Sequence, residues 1–284
     1  MTWITGLPIF SRGSGPPLLA TIFSNRRACI PLLAGLLFAR HLQAADDSLT
    51  VNSEQYKNAV VELYTSEGCS SCPPADEWLS SLSKLVGEDE DPQVIPLAFH
   101  VDYWNDLGWV DPYSNAAFTD RQHMLAARNR QPTVYTPEFV VNGKETRGAR
   151  KTLAAITQSN AEPAGASIHL TASRQGDDVL RAEVAVSGVA PLGTPGTQLY
   201  AALFENNLSG VISAGENAGR TLQHAYVVRS WTGPFAVDTK KPFSFDIELG
   251  RDWRREQLGL AVLVVDKESG KLLQAVKTPL KNLF

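Results

Sequence analysis

The stretch Val60-Val61-Glu62-Leu63-Tyr64-Thr65-Ser66-Glu67-Gly68-Cys69-Ser70-Ser71-Cys72-Pro73-Pro74-Ala75-Asp76 decides how the chain is read. Val60 to Thr65 is apolar and rich in β-branched and aromatic side chains, which predicts a buried strand. Ser66-Glu67-Gly68 is a turn, and a Cys-x-x-Cys pair then opens a helix. Ala75, Trp78, Leu79, Leu82, Leu85 and Val86 recur at the three-and-four spacing of one buried helical face. Pro73 suits the first helical turn, where no N–H is needed. Cys69 is expected at or beside the helix N-cap, where free amides and the dipole favour a thiolate. Cys72, one turn in, is expected to be more shielded, so Cys69 would attack and Cys72 resolve. The carboxylates of Glu67, Asp76 and Glu77 work against ionisation, which predicts a less acidic thiol than in strong oxidases.

What surrounds that stretch bounds the compartment. The 284 residues are 43% hydrophobic and 20% charged, an ordinary globular balance with room for about two domains. Arg26-Arg27, an apolar run from Ala28 to Ala39, and Leu42-Gln43-Ala44 have the order of a secretory signal, so residues 1–45 are read as a signal peptide. The apolar run is shorter than the roughly 20 residues that span a bilayer. The leader carries Arg12, Arg26, Arg27 and Arg40 and no acid, so its loss takes the formal charge from -4 to -8. So acidic a surface repels phosphate backbones and anionic membranes, which argues against both as partners. The expected location is periplasmic or secreted, and the expected partners are exported protein or small-molecule thiols and disulfides.

Export also changes the cysteine count. Cys29 lies in the signal core, leaving Cys69 and Cys72 as the mature thiols, and an oxidising compartment pairs them. A structural staple is the plain alternative, but closing so short a loop removes little unfolded-state entropy. A structural zinc site needs about four ligands, more than this pair supplies. No cofactor is expected. Glu62 sits on the strand face turned away from the cysteines by period-two parity, which makes it a weak proton acceptor. His100 is read as a hydrogen-bonded core histidine. Its alternative is a third ligand beside Cys69 and Cys72 for Cu(I), the basis of a metal-delivery reading.

Downstream, Val94 to Trp104 is a strand-like run expected to pair parallel with the first strand, the cysteine helix being the crossover. Trp104 to Tyr113 is an aromatic insertion, and Phe118, Met124 and Leu125 mark a second helix. Thr136-Pro137 precedes the strand Phe139-Val140-Val141, Asn142-Gly143 is a hairpin turn signal, and Ala149 to Gln158 supplies a last helix. This is a thioredoxin-like order, in which Pro137 is expected to be cis beside the dithiol and residue 136 to pair with an extended substrate. Trp104 and Trp109 could line a substrate groove, and Asp102 and Asp106 could relay protons there.

After Ser159 the pattern changes. Residues 160–165 read as a linker, and Ser167–Ser173, Val179–Val186, Gln198–Asn206, His224–Trp231, Phe243–Glu248, Gly259–Val265 and Leu272–Val276 read as strands. The polar block Glu216, Asn217, Arg220, His224 and Arg229 is either a docking surface or a turn with solvated charges.

Residues 61–76 closely resemble a secreted bacterial family known as domain of unknown function 1223. Leu97-Ala98-Phe99-His100-Val101-Asp102-Tyr103-Trp104, Leu107-Gly108-Trp109 with Asp111-Pro112, Val134-Tyr135-Thr136-Pro137 with Val140-Val141-Asn142-Gly143, Gly215–Leu222, and His224 with Val227-Val228-Arg229 also match it. The resemblance implies an exported, thioredoxin-like protein and no particular reaction. The expected fold is a thioredoxin-like α/β domain (58–159), preceded by a linker (46–57) and followed by an all-β sandwich-like domain (166–284). The expected function is a thiol–disulfide oxidoreductase using Cys69 and Cys72, with Thr136 and Pro137 holding the substrate. A Cu(I) carrier and a noncatalytic binding module are the alternatives.

Overall fold

The computed structural model describes residues 48–86, 94–188, 196–238 and 240–284. The signal peptide expected over residues 1–45 and the acidic run 88–91 lie outside the described residues. In chain order the elements are β1 (Ser48–Asn52), β2 (Ala59–Thr65), α1 (Pro73–Val86), β3 (Val94–His100), α2 (Ala116–Arg128), β4 (Glu138–Val141), β5 (Lys144–Thr146) and α3 (Ala149–Asn160). They continue as β6 (Ser167–Gln175), β7 (Val179–Ser187), β8 (Thr197–Glu205), β9 (Leu208–Val211), β10 (Thr221–His224), β11 (Val227–Ala236), β12 (Phe243–Glu248), β13 (Leu258–Asp266) and β14 (Leu272–Pro279). None of the described helices is long and apolar enough to cross a membrane.

The expected succession of a thioredoxin-like α/β domain and a separate β-sandwich is not what the chain forms. Strands dominate the described residues, and an eight-stranded sheet of order β14-β13-β8-β11-β3-β2-β4-β5 runs through both halves. The join is β11, which lies parallel to β3 with Val227 opposite Ala98 and antiparallel to β8 on its other side. A second, four-stranded sheet of order β1-β6-β7-β12 takes in β1, which comes from the segment read as an N-terminal linker. The physical reason lies in the edge of β3: its unpaired N–H and C=O groups need partners, and β11 supplies them. From Ser48 to Phe284 the described residues fall in one compact unit.

Side-chain alternation then assigns each face. On β8, Leu199, Ala201 and Leu203 face the four-stranded sheet, with Ile168, Leu170, Leu180 and Val184 opposite. Tyr200, Ala202 and Phe204 face the other way, toward Tyr64, Phe99 and Phe118. On β13, Leu260, Val262 and Val264 alternate with Ala261 and Leu263 in the same manner. Strands buried on both faces read as continuous apolar runs, whereas β6 and β7 keep one exposed face and alternate cleanly. Helices α1 and α3 cover Ala59, Val61, Leu63 and Phe139 through Leu79, Leu82 and Ile156.

Two local features have direct sequence causes. Asn142 and Gly143 take φ of 50° and 82°, the positive values a two-residue hairpin turn needs between β4 and β5. Gly259 lies opposite Phe204, and a Cβ there would stand 2.3 Å from the ring. Gly259→Ala is therefore expected to destabilise the protein by about 1–3 kcal/mol through overpacking, checked by urea denaturation.

Candidate functional site

β2 delivers the chain to the dithiol. Cys69 N–H donates to the Ser66 carbonyl at 3.1 Å, and Cys72 N–H to the Cys69 carbonyl at 3.2 Å. Cys69 and Cys72 form a disulfide with their Cα atoms 5.4 Å apart. Helix α1 begins at Pro73, so Cys72 is the residue before the helix and Cys69 lies outside its first turn. Cys69 thus stands farther from the free amides than its spacing suggests. Both cysteines are 0% exposed, although Ser70 and Ser71 between them are exposed.

The other expected site residues gather at this end of β2. Glu138, the first residue of β4, pairs with Tyr64 near the end of β2, so the cis Thr136–Pro137 peptide just before it lies level with the cysteine turn. Trp104 links the two: its Nε1–H donates to Thr136 Oγ1 at 2.8 Å, and its Cβ sits 3.1 Å from where a Gly68 Cβ would be. Trp109 Nε1–H donates to Glu67 Oε2 at 2.9 Å. Both indoles therefore hold the site's own walls. Asp102 accepts from Thr119 Oγ1 at 2.6 Å, and Asp106 is exposed. Glu62 faces away, as its parity predicts, and pairs with Arg121.

Beside the disulfide lies a buried carboxylate–histidine cluster that sequence spacing does not assemble. Glu67 Oε1 is 3.0 Å from His224 Nε2, and Asp111 Oδ2 is 2.7 Å from His100 Nδ1 and accepts the Glu67 N–H at 2.8 Å. The two imidazoles are T-shaped with centroids 5.1 Å apart, and Tyr113 closes against both. Asp76, one helical turn after Cys72, donates its N–H to the Cys72 carbonyl and accepts from Thr65 Oγ1. His100 Nε2 and His224 Nδ1 are buried with no hydrogen-bond partner among the described residues.

The charges are set by burial and pairing. Burial raises the Asp76 carboxyl to about 6, with His100, His224 and the Thr65 hydroxyl pulling the other way. Burial works against a charged His100, but the attraction and hydrogen bond of Asp111 outweigh it and raise the imidazole. Asp111 is correspondingly lowered, its own burial being overcome by His100. Burial thus holds a proton on Asp76 up to about pH 6, and Asp111 holds one on His100, close in the chain to a disulfide whose reduction takes up two. Among the described residues no group of three or more His, Cys, Asp or Glu is arranged to hold a metal ion. In this oxidised form Cys69, Cys72 and His100 do not make the three-ligand set that a Cu(I) site requires.

The polar block of the C-terminal half arrives here as well. Asn217 Nδ2 donates to the carbonyls of Glu67 and Cys69 at 2.8 and 3.0 Å, and Glu216 Oε2 accepts the Ser70 N–H at 3.0 Å. Arg229 instead pairs with Glu205 and Asp252. In the sequence, Asp111, Asn217 and His224 stand out by their place in blocks that match a family, and Asn217 and His224 also by the polar block, but no spacing brings them together.

Fold and site together define a class: a β-rich protein whose long mixed sheet carries a buried Cys-x-x-Cys disulfide backed by paired histidines and carboxylates. The family model described as protein of unknown function DUF1223 matches residues 60–265, and the chain belongs to that family. A crystal structure of an Agrobacterium tumefaciens protein is similar, with 23% identity and a TM-score of 0.59 over 82% of this chain and 98% of that one. HBP35 of Porphyromonas gingivalis is similar too, with 18% identity and a TM-score of 0.57 over 80% of this chain and 76% of the other. At these identities the likeness concerns the fold alone. No curated protein matches the chain.

Proposed function

We propose that the chain is an exported thiol–disulfide oxidoreductase acting through Cys69 and Cys72. The observation that carries this reading is the disulfide's position, level with Thr136–Pro137 and directly before a helix whose Asp76 carboxyl is raised by burial to about 6. Export is supported by the charged, apolar and small-residue order of the leader, which leaves Cys69 and Cys72 as the mature thiols. In the reduced form, Cys69 thiolate attacks a substrate disulfide, forming a mixed disulfide and expelling one substrate thiolate. Cys72 then passes its proton to the Asp76 carboxylate and attacks Cys69 Sγ. The second substrate thiolate leaves, the substrate is reduced by two electrons, and the Cys69–Cys72 disulfide is restored. Run in reverse, the same steps oxidise a substrate dithiol.

Complete burial of both cysteines favours a second reading, an inert structural bridge. The reduction potential of the pair, measured alongside capture by a Cys72→Ser variant, separates the two. A potential above about -300 mV and a mixed disulfide retained on Cys69 are expected for the oxidoreductase. A lower potential with nothing captured would leave the bridge.

A further inference from the structure

Exchange at a disulfide needs a sulfur nucleophile to approach along the S–S axis, yet neither cysteine of this pair is exposed. The segment laid against the dithiol turn is Gly215–Arg220, in the connection between β9 and β10. Asn217, 1% exposed, gives its amide hydrogens to the Glu67 and Cys69 carbonyls. Glu216, itself exposed, accepts the Ser70 N–H.

All three partners are main-chain groups flanking Cys69: two acceptors and one donor. A polypeptide laid along the turn satisfies such groups with its own N–H and C=O groups. Here they are met by side chains, an amide standing in for the N–H and a carboxylate for the C=O.

The segment also holds its own shape. Ile212 N–H donates to the Arg220 carbonyl at 2.9 Å and Gly219 N–H to the Ile212 carbonyl at 2.8 Å, closing its base. Ala218 N–H reaches the Gly215 carbonyl, Arg220 N–H reaches the Asn217 carbonyl, and Arg220 Nη1 holds Asn217 Oδ1 at 2.9 Å. None of these bonds involves the dithiol turn, so the segment keeps its shape without it, resting through Gly215 on Leu107 and Trp109.

We propose that Gly215–Arg220 is an internal occupant of a polypeptide-binding site, displaced by an extended peptide that thereby reaches the Cys69–Cys72 disulfide. The proposal rests on the oxidoreductase reading for the exchange step after displacement, but not for displacement itself. Asn217 and Glu216 are positioning residues in this account, and Ser70 is the donor that the incoming chain inherits.

The test is the rate at which the oxidised full chain is reduced by dithiothreitol, read as thiols captured by alkylation and counted by mass. One dithiothreitol thiolate opens the disulfide, and its second thiol closes the oxidised ring and frees both protein thiols. Asn217→Ala removes two of the three hydrogen bonds and is expected to speed reduction by about 10-fold, and Glu216→Gln by about 3-fold. Both are expected to keep the native circular dichroism. Should Asn217→Ala not fold, Glu216→Gln decides, because its side chain is exposed. A short extended peptide with one cysteine is also expected to outpace mercaptoethanol on the native chain by about 10-fold, an advantage lost in urea. Unchanged rates in the folded variants, or a native rate equal to that in urea, would overturn the proposal. Faster reduction in the variants with no mixed disulfide in Cys72→Ser would instead sink the oxidoreductase reading and leave the displaceable segment standing.

Discussion

Replacing Arg121 by alanine is expected to destabilise the protein by about 3–5 kcal/mol, because it strands an ionised carboxylate in the core. Glu62 is 1% exposed and Arg121 9%. The guanidinium is bidentate, Nε donating to Oε2 at 2.7 Å and Nη2 to Oε1 at 2.8 Å, and the Tyr64 hydroxyl donates to Oε2 at 2.8 Å. Its flat face lies 4.0 Å from the Trp231 ring centroid, with Tyr200 at 5.5 Å and Phe99 at 5.7 Å. β2 and α2 of the N-terminal half are thereby tied to β8 and β11 of the C-terminal half. Arg121→Lys keeps the charge but loses the fork and most of the stacking, so an intermediate loss of about 1–2 kcal/mol is expected. The double variant Glu62→Leu with Arg121→Leu removes both charges and is expected to recover most of the stability. Urea denaturation of the three variants checks the order. An alanine variant within about 1 kcal/mol of the native chain would show that water reaches Glu62.

The second large effect concerns Asp76, and its sign depends on pH. The carboxyl titrates near 6 in the folded chain against 3.8 as its ordinary value. Between those values the folded state holds a proton that the unfolded state has released, so stability falls as pH rises through that window. The contribution is complete below about pH 4 and lost above about pH 6. Asp76→Asn keeps the shape without the charge. It is expected to match the native protein at about pH 4 and to exceed it by about 2–3 kcal/mol at about pH 7.5. Denaturant midpoints at the two pH values measure the difference. If the proposed exchange reaction holds, the gain comes with slower exchange, since asparagine cannot take the Cys72 proton, and the resolving step is expected to slow by about 10²-fold. A variant less stable than the native chain at the higher pH would show that ionised Asp76 is needed as a counter-ion to His100 and His224.

How much of this is legible in the sequence differs between fold and site. β2, the helix after Cys72, the Asn142-Gly143 turn and the alternation of β6 and β7 are local patterns of period two or 3.6. The β9–β10 pair escapes such a reading because Leu208–Val211 and Thr221–His224 are short and only partly buried. The apolar pattern assigns His224 to the strand after it, whereas it ends β10 and points at Glu67. Trp104 and Trp109 are legible as site residues, but as groove walls rather than donors to Thr136 and Glu67. Asp76 is legible only as a charge near the cysteines. The groups that act on it once it is buried, His100, Thr65 and His224, reach it from three different strands.

By itself, the sequence determined the strand–turn–Cys-x-x-Cys–helix unit, the hairpin after Thr136-Pro137, and the family. Each is carried by neighbours within a few residues, where side-chain period and turn chemistry act directly. Tertiary structure decided that β11 lies beside β3, that β1 joins β6, and that Asn217 and Glu216 close over the turn carrying Cys69. Strand adjacency at such distance is settled by which edge groups and apolar faces remain unpaired after local structure forms, and no spacing in the chain records that. The same holds for the disulfide's environment: Glu67 meets His224 across 157 residues only because the long sheet brings both halves to one end of β2.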